Sequence, residues 1–577
     1  MQFTTKSEFQ NDGRLYITDD DNGIKDTVFW EILGFQPTMG WMYARGQEVA
    51  LFVDDRYYEG VSKRLNEREI ASEKFGNIKV TVYNTKEKIH RILEVFEMLK
   101  KNQGTAEVRV PTGLVVGQIQ EMYKALRDPK LKGFSLNFES QASAQVLDTA
   151  RNIVSSSQES SVHQKQKNIF ITDHKAGMRD DHFLYYLGID PEFGCMSIYK
   201  SEMVLVLPQS LKSTMFDESF IAARLGIKKI SLRVSYVADR KSLVTTALSG
   251  LKKEQISLSP LMTFDQLLEV VTSAGNNTLC MNRWDFDVKR HEKQDDEIED
   301  HKNAIQIIET VFEALEYMNK AGWLYGKREK DIVAIIQKLI EKLWGIGEAF
   351  PSIVSVWPNG AVPHHIPTQT VPGDDMVVDG PVLFDIGAVS TGGRRSDFTR
   401  VLYVGKQVWP RFEDFTLVED LVHDIHMYAL SIAKEWITVW ELDEKTRAFS
   451  LEKSKEKTPQ WESIFDHFEY DSKLSFDEKM KKILYSHGLG HGVGIRIHEF
   501  PYFSKHKDAK LTQWMFITIE PWVYIPGYFG VRLENLYYIG KDGKLVTDNR
   551  LPLKLSDRQK NPPTLERERE LRELLYG

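Results

Sequence analysis

Apolar positions near the start of the chain follow first a strand period and then a helix period, which predicts a mixed α/β arrangement. Residues 46–65 predict a strand that leads into a helix, and residues 77–84 predict another strand. Residues 85–101 predict an amphipathic helix. Residues 155–167 (SSSQESSVHQKQK) are polar and poor in apolar side chains, so they predict a linker.

The block that follows this linker echoes the first one. Its segments NIFITDHKAGMRDDHFLYYLGID and MVLVLPQ stand in the same order as FWEILGF and VALFVDD of the first block. A repeated order of elements indicates a duplicated domain, although two unrelated small α/β domains can also share one. We predict domains at residues 1–163, 164–287 and 288–577.

The third block opens with helices. Apolar residues at three- and four-residue spacing predict a long amphipathic helix over residues 292–322, and a second helix is predicted over 331–344. The acidic cluster Asp295, Asp296 and Glu297 opens the first helix, where the helix dipole favours negative charge. A metal site is the alternative interpretation of this cluster, and a solvated helix start is preferred.

The rest of the third block is rich in predicted strands. Its β-branched and aromatic runs are PVLFDIGAV, RSDFTRVLYVG, MFITIEPWVYI and FGVRLENLYYIG. The last residues, TLERERELRELLYG, predict a short charged helix capped by Thr564 that docks on a core or on a partner.

Composition excludes several classes of protein. A length of 577 residues predicts several domains, and a formal charge of −8 gives no electrostatic footprint for nucleic acid. The two cysteines, Cys195 and Cys280, are far apart and build neither a disulfide framework nor a thiolate zinc site. The sequence has no signal-peptide pattern and no apolar run long enough for a bilayer, so we expect a cytoplasmic protein without membrane contact.

Histidines and carboxylates on the predicted strands carry the candidate chemistry. The segment HGLGHGVGIRIHE places imidazoles at His487, His491 and His498 among glycines that allow close approach. A glycine-rich turn with structural histidines is the alternative interpretation. Four carboxylates, which rarely face a core without a cation, accompany them. These are Asp385, Asp397, Glu520 and Glu534.

With His491, these carboxylates form a set of five donors that suits two divalent cations such as Mn²⁺, Co²⁺ or Zn²⁺. Each carboxylate also has an ordinary interpretation. These are a strand-end turn for Asp385, a pair with Arg395 or Arg400 for Asp397, a pair with Arg532 for Glu534, and an edge charge for Glu520.

The order of the surrounding segments distinguishes the two interpretations. DIGAV, SDFTR, HGLGH, IEP and RLEN follow one another in this order, and together they resemble the creatinase and aminopeptidase P family of pita-bread metallopeptidases. The resemblance covers approximately residues 292–553. Within the family, the sequence resembles the three-domain Xaa-Pro aminopeptidases more closely. This resemblance implies an α/β (α+β) chain with a C-terminal pita-bread catalytic domain after two smaller creatinase-N-like domains.

The resemblance also implies a role for each candidate residue. Asp385, Asp397, His491, Glu520 and Glu534 match the family's metal ligands, with Asp397 and Glu534 bridging and Glu520 also taking the water's proton. His498 matches the histidine that stabilises the oxyanion. His364, in PHHIP, and His487 match the histidines that hold the substrate.

Three departures from the family pattern stand out. One extra residue lies between Asp385 and Asp397, Trp522 replaces the glycine after Glu-Pro, and the customary Gly-Tyr reads Gly393-Arg394. We expect a β-bulge at the glycines before Arg394 to absorb the extra residue and to keep Asp397 aimed at the metals. We expect Trp522 to narrow or reshape the substrate pocket.

The resemblance implies a dinuclear-metal Xaa-Pro aminopeptidase, with Mn²⁺ as the expected metal, that acts as a homodimer on peptides with proline in second position. The nearest alternative is an Xaa-Pro dipeptidase, which needs a cationic clamp for the substrate carboxylate. Lys505, Lys507 and Lys510 are its candidates. A catalytically inactive binding scaffold and a metal-independent creatinase-type amidinohydrolase are further alternatives, and the complete ligand set argues against both.

Overall fold

The computed structural model describes residues 14–19, 39–45, 48–53, 69–72, 76–84, 91–103, 107–110, 114, 116–138, 140, 142–155, 167–173, 180–225, 227–248, 255–259, 262–275, 277–281, 290–365, 367, 375–405, 411–467, 473–485, 487–503 and 507–576. The chain forms two compact units, Met1–Trp284 and Asp285–Gly577.

The first unit contains two mixed sheets. The first sheet is built from β1 Arg14–Asp19, β2 Met39–Arg45, β3 Glu48–Val53, β4 Glu69–Ser72, β5 Gly76–Asn84, β6 Glu107–Val110 and β7 Ser135–Phe138. Helices α1 Arg91–Gln103, α2 Val116–Ala125 and α3 Ala144–Ser155 accompany it. The second sheet is built from β8 Lys167–Asp173, β9 Phe193–Tyr199, β10 Glu202–Pro208, β11 Ser231–Val237, β12 Gln255–Leu258 and β13 Thr278–Met281. Its helices are α4 His182–Leu187, α5 Glu218–Arg224, α6 Leu243–Leu248 and α7 Phe264–Ser273.

The two sheets have the same strand order. The first runs β4-β5-β3-β2-β1-β6-β7 and the second β11-β10-β9-β8-β12-β13. Beyond the extra β4, each of the five neighbouring pairs has the same parallel or antiparallel sense in both sheets. This match supports a duplication, and the division at residue 163 stays a prediction. The predicted linker lies mostly outside the described residues.

The two sheets of the first unit share an apolar core. The rings of Phe138, on β7, and Phe264, at the start of α7, stack with centroids 4.4 Å apart. Strand β5 and helix α1 confirm two predicted elements within the described residues.

The second unit begins with the two predicted helices, α8 Asp295–Lys320 and α9 Glu329–Lys342. Four helices that the sequence analysis did not predict follow between the strands, namely α10 Phe412–Ile432, α11 Val439–Lys455, α12 Thr458–His467 and α13 Phe476–Leu484. The signal for α10 was present, because Phe415, Val418, Val422, Ile425 and Ala429 recur at helical spacing and are buried.

The chain closes with α14 Leu555–Lys560 and α15 Leu565–Tyr576. Thr564 accepts from the backbone N–H of Arg567, which confirms the predicted cap. The side chain of Leu571 is buried, and Arg567 pairs with Glu313 of α8 at 2.5 Å. Helix α15 therefore docks on the core of its own unit.

The strands of the second unit are β14 Gly347–Glu348, β15 Ile353–Val356, β16 Gly380–Ile386, β17 Ala388–Val389, β18 Phe398–Val404, β19 His491–Gly492, β20 Glu499–Tyr502, β21 Phe516–Ile519, β22 Trp522–Ile525, β23 Phe529–Arg532, β24 Asn535–Ile539 and β25 Leu545–Val546. They form antiparallel sheets in the orders β15-β16-β18 and β20-β19-β21-β24-β25, with pairs β14-β17 and β22-β23. A bridge from Thr399 to Glu534 links the first two sheets and places their functional residues together. The predicted mixture of helices and sheets is confirmed.

Among the described helices, we find none that combines the length and the apolar character needed to cross a membrane.

Candidate metal centre

The hairpin of β16 and β18 aims two aspartates at one place. Asp385 pairs with Thr399 across the two strands, so their side chains share one face. Asp397 precedes Thr399 by two residues, and side chains two apart along an extended strand point to the same side. Asp385, Asp397 and Thr399 therefore lie on one face of the hairpin.

The extra residue between the two aspartates causes no change of register. Ile386 pairs with Phe398, and Val389 still pairs with Arg395 in the same register further along the hairpin. The predicted β-bulge is therefore wrong. Asp397 reaches the site through the ordinary alternation of the strand.

The turn of the hairpin absorbs the extra residue. Gly393 has a φ of +85°, and the carboxylate of Asp300 on α8 accepts from the backbone N–H groups of Gly392 and Arg394 at 3.1 Å each. A Cβ on Gly392 would lie 2.3 Å from that carboxylate, so glycine is required there. A longer turn held by Asp300 thus takes the place of a bulge.

Glu534 meets the aspartates through Thr399. The hydroxyl of Thr399 donates to Oε2 of Glu534 at 2.6 Å, and the N–H of Glu534 donates to the Thr399 carbonyl at 3.1 Å. Oε1 of Glu534 and Oδ1 of Asp385 are buried, and the described residues provide no hydrogen-bond partner for either oxygen. Buried carboxylate oxygens are normally paired, so both positions fit oxygens that bind cations.

His491 presents one ring nitrogen to the carboxylates. Its Nδ1 lies 3.1 Å from the carbonyl of Gly492, a contact that assigns the proton to Nδ1 and leaves the lone pair on Nε2. Nε2 lies 3.5 Å from Oδ2 of Asp397 and 3.5 Å from Oε1 of Glu520. Ligand atoms of Asp397, His491 and Glu534 all lie within 4.8 Å of one another, and all three residues are buried.

The carboxylates of the cluster repel one another when they are ionised. Burial first, and then the charges of Asp385 and Glu520, raise the pKa of Asp397 well above its usual value. Burial and Glu534 raise the pKa of Glu520. Burial, Asp397 and Asp385 likewise raise the pKa of Glu534. Divalent cations would offset this repulsion, and one imidazole with four carboxylates suits Mn²⁺, Co²⁺ or Zn²⁺.

The ordinary interpretations pair Asp397 with Arg395 or Arg400, and Glu534 with Arg532. Arg532 and Arg395 make other contacts. Arg532 forms its ion pair with Asp385 and also donates to Thr399 Oγ1 at 3.1 Å. Arg395 donates to the carbonyl of Ile495 at 2.6 Å. Arg532, at the end of β23, was not among the predicted site residues, although the GVRLEN segment that contains it was recognised.

Two further histidines border the cluster. Nδ1 of His487 lies 4.0 Å from Oε2 of Glu520, and the ring of His487 stacks on Trp522. The ring of His498 stands edge-on to that of His491, with centroids 4.3 Å apart. Trp522 is buried against His487, so the structure gives this indole a definite place beside a site residue.

His364 lies at the end of the segment that follows β15. The carbonyl of its neighbour Pro363 accepts from Arg532 at 3.4 Å, which places this segment beside the cluster. The adjacent His365 contacts Glu329 at 2.7 Å through Nε2. The structure thus brings seven of the eight predicted site residues into direct or neighbouring contact and His364 to the border of the site, and their roles stay predictions.

A buried ion cluster that the sequence analysis did not find supports the loop of His498. The carboxylate of Glu499 lies 3.3 Å from Arg290 and 3.4 Å from Lys293, and it accepts from the N–H of Arg496 at 3.0 Å. A Cβ on Gly494 would lie 2.2 Å from Glu499, so the loop folds closely around this carboxylate. The pairing spans about 200 positions of sequence, so no local periodicity indicates it.

We expect Glu499→Gln to lower the free energy of unfolding by about 3–5 kcal/mol, because it removes the buried anion that Arg290 and Lys293 both contact. Burial alone would raise the pKa of Glu499, but Arg290 and Lys293 lower it to about 2. The stabilisation is therefore present above pH ~4.5 and is lost as the pH falls towards 2. Burial also lowers the pKa of Lys293, which offsets part of the gain.

Urea denaturation of the wild type and the variant at pH 7 and pH 3.5 measures this effect. The difference in stability should narrow at the lower pH. Glu444→Gln, at an exposed position of α11, is the matched control and should change little. Equal stability of wild type and Glu499→Gln at pH 7 would contradict the assignment.

Comparison with known proteins finds a family match within the second unit. Residues 299–541 match metallopeptidase family M24. The chain is 29% identical over 265 residues to the Xaa-Pro dipeptidase of Pyrococcus furiosus, which covers 44% of this chain and 66% of that protein. The chain spans from half to about two thirds of the length of the curated relatives that it matches.

Solved structures resemble the fold. An X-Pro aminopeptidase from Thermotoga maritima is 22% identical with a TM-score of 0.53, covering 67% of this chain and 96% of that one. An X-prolyl aminopeptidase from Caenorhabditis elegans is described as a cytosolic enzyme with a di-nuclear active site. It is 15% identical with a TM-score of 0.62, and the match covers 98% of this chain and 92% of that one. At these identities, the likeness concerns the fold.

Proposed function

We propose that this chain, whose residues 299–541 match metallopeptidase family M24, is a dinuclear Xaa-Pro aminopeptidase. It would remove the N-terminal residue from peptides whose second residue is proline. The observation that carries the proposal is that ligand atoms of Asp397, His491 and Glu534 lie within 4.8 Å of one another, beside buried oxygens of Asp385 and Glu534 for which the described residues provide no hydrogen-bond partner.

Five residues would hold the two cations. They are Asp385, Asp397, His491, Glu520 and Glu534, the residues that match the family's metal ligands. Divalent cations at these residues supply Lewis-acid polarisation of the scissile carbonyl and make water nucleophilic near neutral pH. Mn²⁺ is the proposed native metal because most of the donors are oxygens.

The surrounding side chains would move protons and hold the substrate. Glu520, whose Oε1 lies 3.5 Å from Nε2 of His491, would take a proton from water during attack on the carbonyl. His498 would donate to the oxyanion, and His487 and His364 would hold the peptide. Since a prolyl amide has no N–H to donate, selection would depend on ring shape and on the free amino terminus.

An Xaa-Pro dipeptidase is the second candidate, because curated relatives carry that name. It needs a cation for the carboxylate of the substrate. The ammonium of Lys507 lies over the ring of Trp440 at 3.8 Å, and the backbone of Lys510 bridges to Thr438. Lys505 lies outside the described residues. The engagement of the Lys507 ammonium with Trp440 favours the aminopeptidase.

Chelation followed by metal addition tests the proposal. We expect the chelated protein to lose all hydrolysis of Ala-Pro-Ala and to regain it with Mn²⁺, because five donors without cations cannot activate water. Released alanine, measured by chromatography, reports turnover. Ala-Pro-Ala should be cleaved at least about 10-fold faster than Ala-Pro if there is no carboxylate clamp.

The same measurement separates the alternatives. Faster cleavage of Ala-Pro would favour the dipeptidase. Two bound metals without hydrolysis of either peptide would contradict the exopeptidase. No bound metal by elemental analysis would favour the inactive scaffold or, with activity on an amidine, the amidinohydrolase. The cytoplasmic location and the homodimer stay predictions.

A further inference from the structure

Trp522 covers one face of His487. The indole and the imidazole are nearly parallel, with an interplanar angle of 19° and ring centroids 3.4 Å apart. Trp522 opens β22 and pairs with Arg532 across the hairpin, and Tyr524, two residues on, shares its face. Only 4% of the Trp522 surface is exposed, so the indole is built into the wall beside the cluster.

Helix α11 holds the main chain of His487. Arg447 donates to the carbonyl of His487, and Asp443 accepts from the N–H of Leu489 at 2.8 Å. Asp443 and Arg447 also pair with each other at 2.6 Å. The backbone on both sides of Gly488 is thereby fixed. These contacts do not set the side-chain dihedral angles of His487.

The orientation of the imidazole depends on its ring contacts. Nδ1 lies 3.0 Å from the carbonyl of Gly488, while Nε2 lies 3.5 Å from the hydroxyl of Tyr524, at the outer limit of a hydrogen bond. The stacked indole is the broad contact that restricts rotation of the ring. Stacking of this kind adds to the effect of buried area and depends on ring geometry.

We propose that Trp522 is a positioning residue for His487, fixing the imidazole plane so that its edge faces Glu520 and the bound peptide. This inference rests on the proposed function, in which His487 holds the substrate. It assigns Trp522 to orientation of a substrate-binding histidine, whereas a glycine in this position would not provide the indole face.

Two substitutions separate stacking from simple packing. Trp522→Phe keeps an aromatic face, and Trp522→Leu keeps apolar volume without one. Neither removes a hydrogen bond, because Nε1 of Trp522 is buried without a partner among the described residues. Both shorten the side chain and leave some empty volume, so general loosening affects both.

Kinetics on Ala-Pro-Ala provide the main test. We expect Trp522→Leu to raise KM about 10-fold with kcat within about 3-fold of the wild type, because a substrate contact is misplaced and the metal cluster is unchanged. Trp522→Phe should restore KM to within about 3-fold of the wild type. Equal KM values for the Leu variant and the wild type, or equal losses in both variants, would overturn the inference.

A double-mutant cycle tests whether Trp522 acts through His487. In a His487→Ala background, Trp522→Leu should cause no further rise in KM, whereas independent residues would give multiplied effects. Multiplied effects would overturn the inference.

Near-UV circular dichroism separates failure of this inference from failure of the proposed function. His487→Ala should change the indole signal in the wild-type background and leave it unchanged in Trp522→Phe. If the wild type cleaves no proline peptide, the proposed function fails, and this difference spectrum still decides whether the two rings form one unit. If His487→Ala leaves the indole signal of the wild type unchanged, the inference is overturned whatever the activity.

Discussion

Asp397→Asn should reduce hydrolysis of Ala-Pro-Ala by at least about 10³ and lower the bound metal from two ions per chain. Oδ2 of Asp397 lies 3.5 Å from the imidazole Nε2 of His491, and the charges of Asp385 and Glu520 act on the same carboxylate. The amide keeps the size of the side chain and removes one anionic ligand. Elemental analysis and kinetics on the same sample measure both losses.

The effect of Asp397→Asn on stability should reverse when metal is added. Burial and neighbouring carboxylates raise the pKa of Asp397, so in chelated protein its charge opposes folding, and the asparagine variant should be at least as stable as the wild type. With Mn²⁺ the wild type should become more stable than the variant, since only it gains the full binding energy. Thermal unfolding with and without metal measures this reversal.

Asp375→Asn is the matched control. Asp375 is also buried, and it pairs at 2.6 Å with Arg328, which is not one of the cluster residues. It should keep both metals and lose stability under both conditions. Full activity and full metal content in Asp397→Asn would reject the proposed centre.

Local sequence pattern predicted the elements that carry the site. The runs around Asp385 and Glu534 are rich in β-branched and aromatic residues, and the structure forms β16 and the β23–β24 segment there. The side to which Asp397 points also follows from periodicity, since it stands two residues before Thr399. The predicted bulge was wrong because the turn, which Asp300 holds from α8, was invisible to local pattern.

Contacts between distant segments could not be read from the sequence. Glu499 reads as an ordinary polar residue after His498, yet it is buried between two cations that lie more than 200 positions earlier. From the sequence we expect Trp522 to narrow or reshape the substrate pocket, and the structure stacks its indole on His487. In both cases the sequence identifies the residue type and tertiary packing decides its partner.

His498→Ala should keep both metals and the Michaelis constant while turnover falls by about 10²–10³, which is the cost of losing one donor to a developing oxyanion. The chain turns between β19 and β20, which brings the ring centroid of His498 to 4.3 Å from that of His491. The ring of His498 therefore borders the cluster. We expect both metals to stay because the family resemblance assigns five other residues as their ligands.

The loop itself should survive this change, because other atoms fix it. The backbone carbonyl of His498 accepts from the hydroxyl of Tyr502 at 2.8 Å, and the adjacent Glu499 is anchored by Arg290 and Lys293. His467→Ala, at an exposed position at the end of α12, is the control and should leave turnover unchanged. Loss of one metal in His498→Ala would make this histidine a ligand. Turnover near that of the wild type would make it structural, because an imidazole that stabilises charge only in the transition state must affect kcat when it is removed.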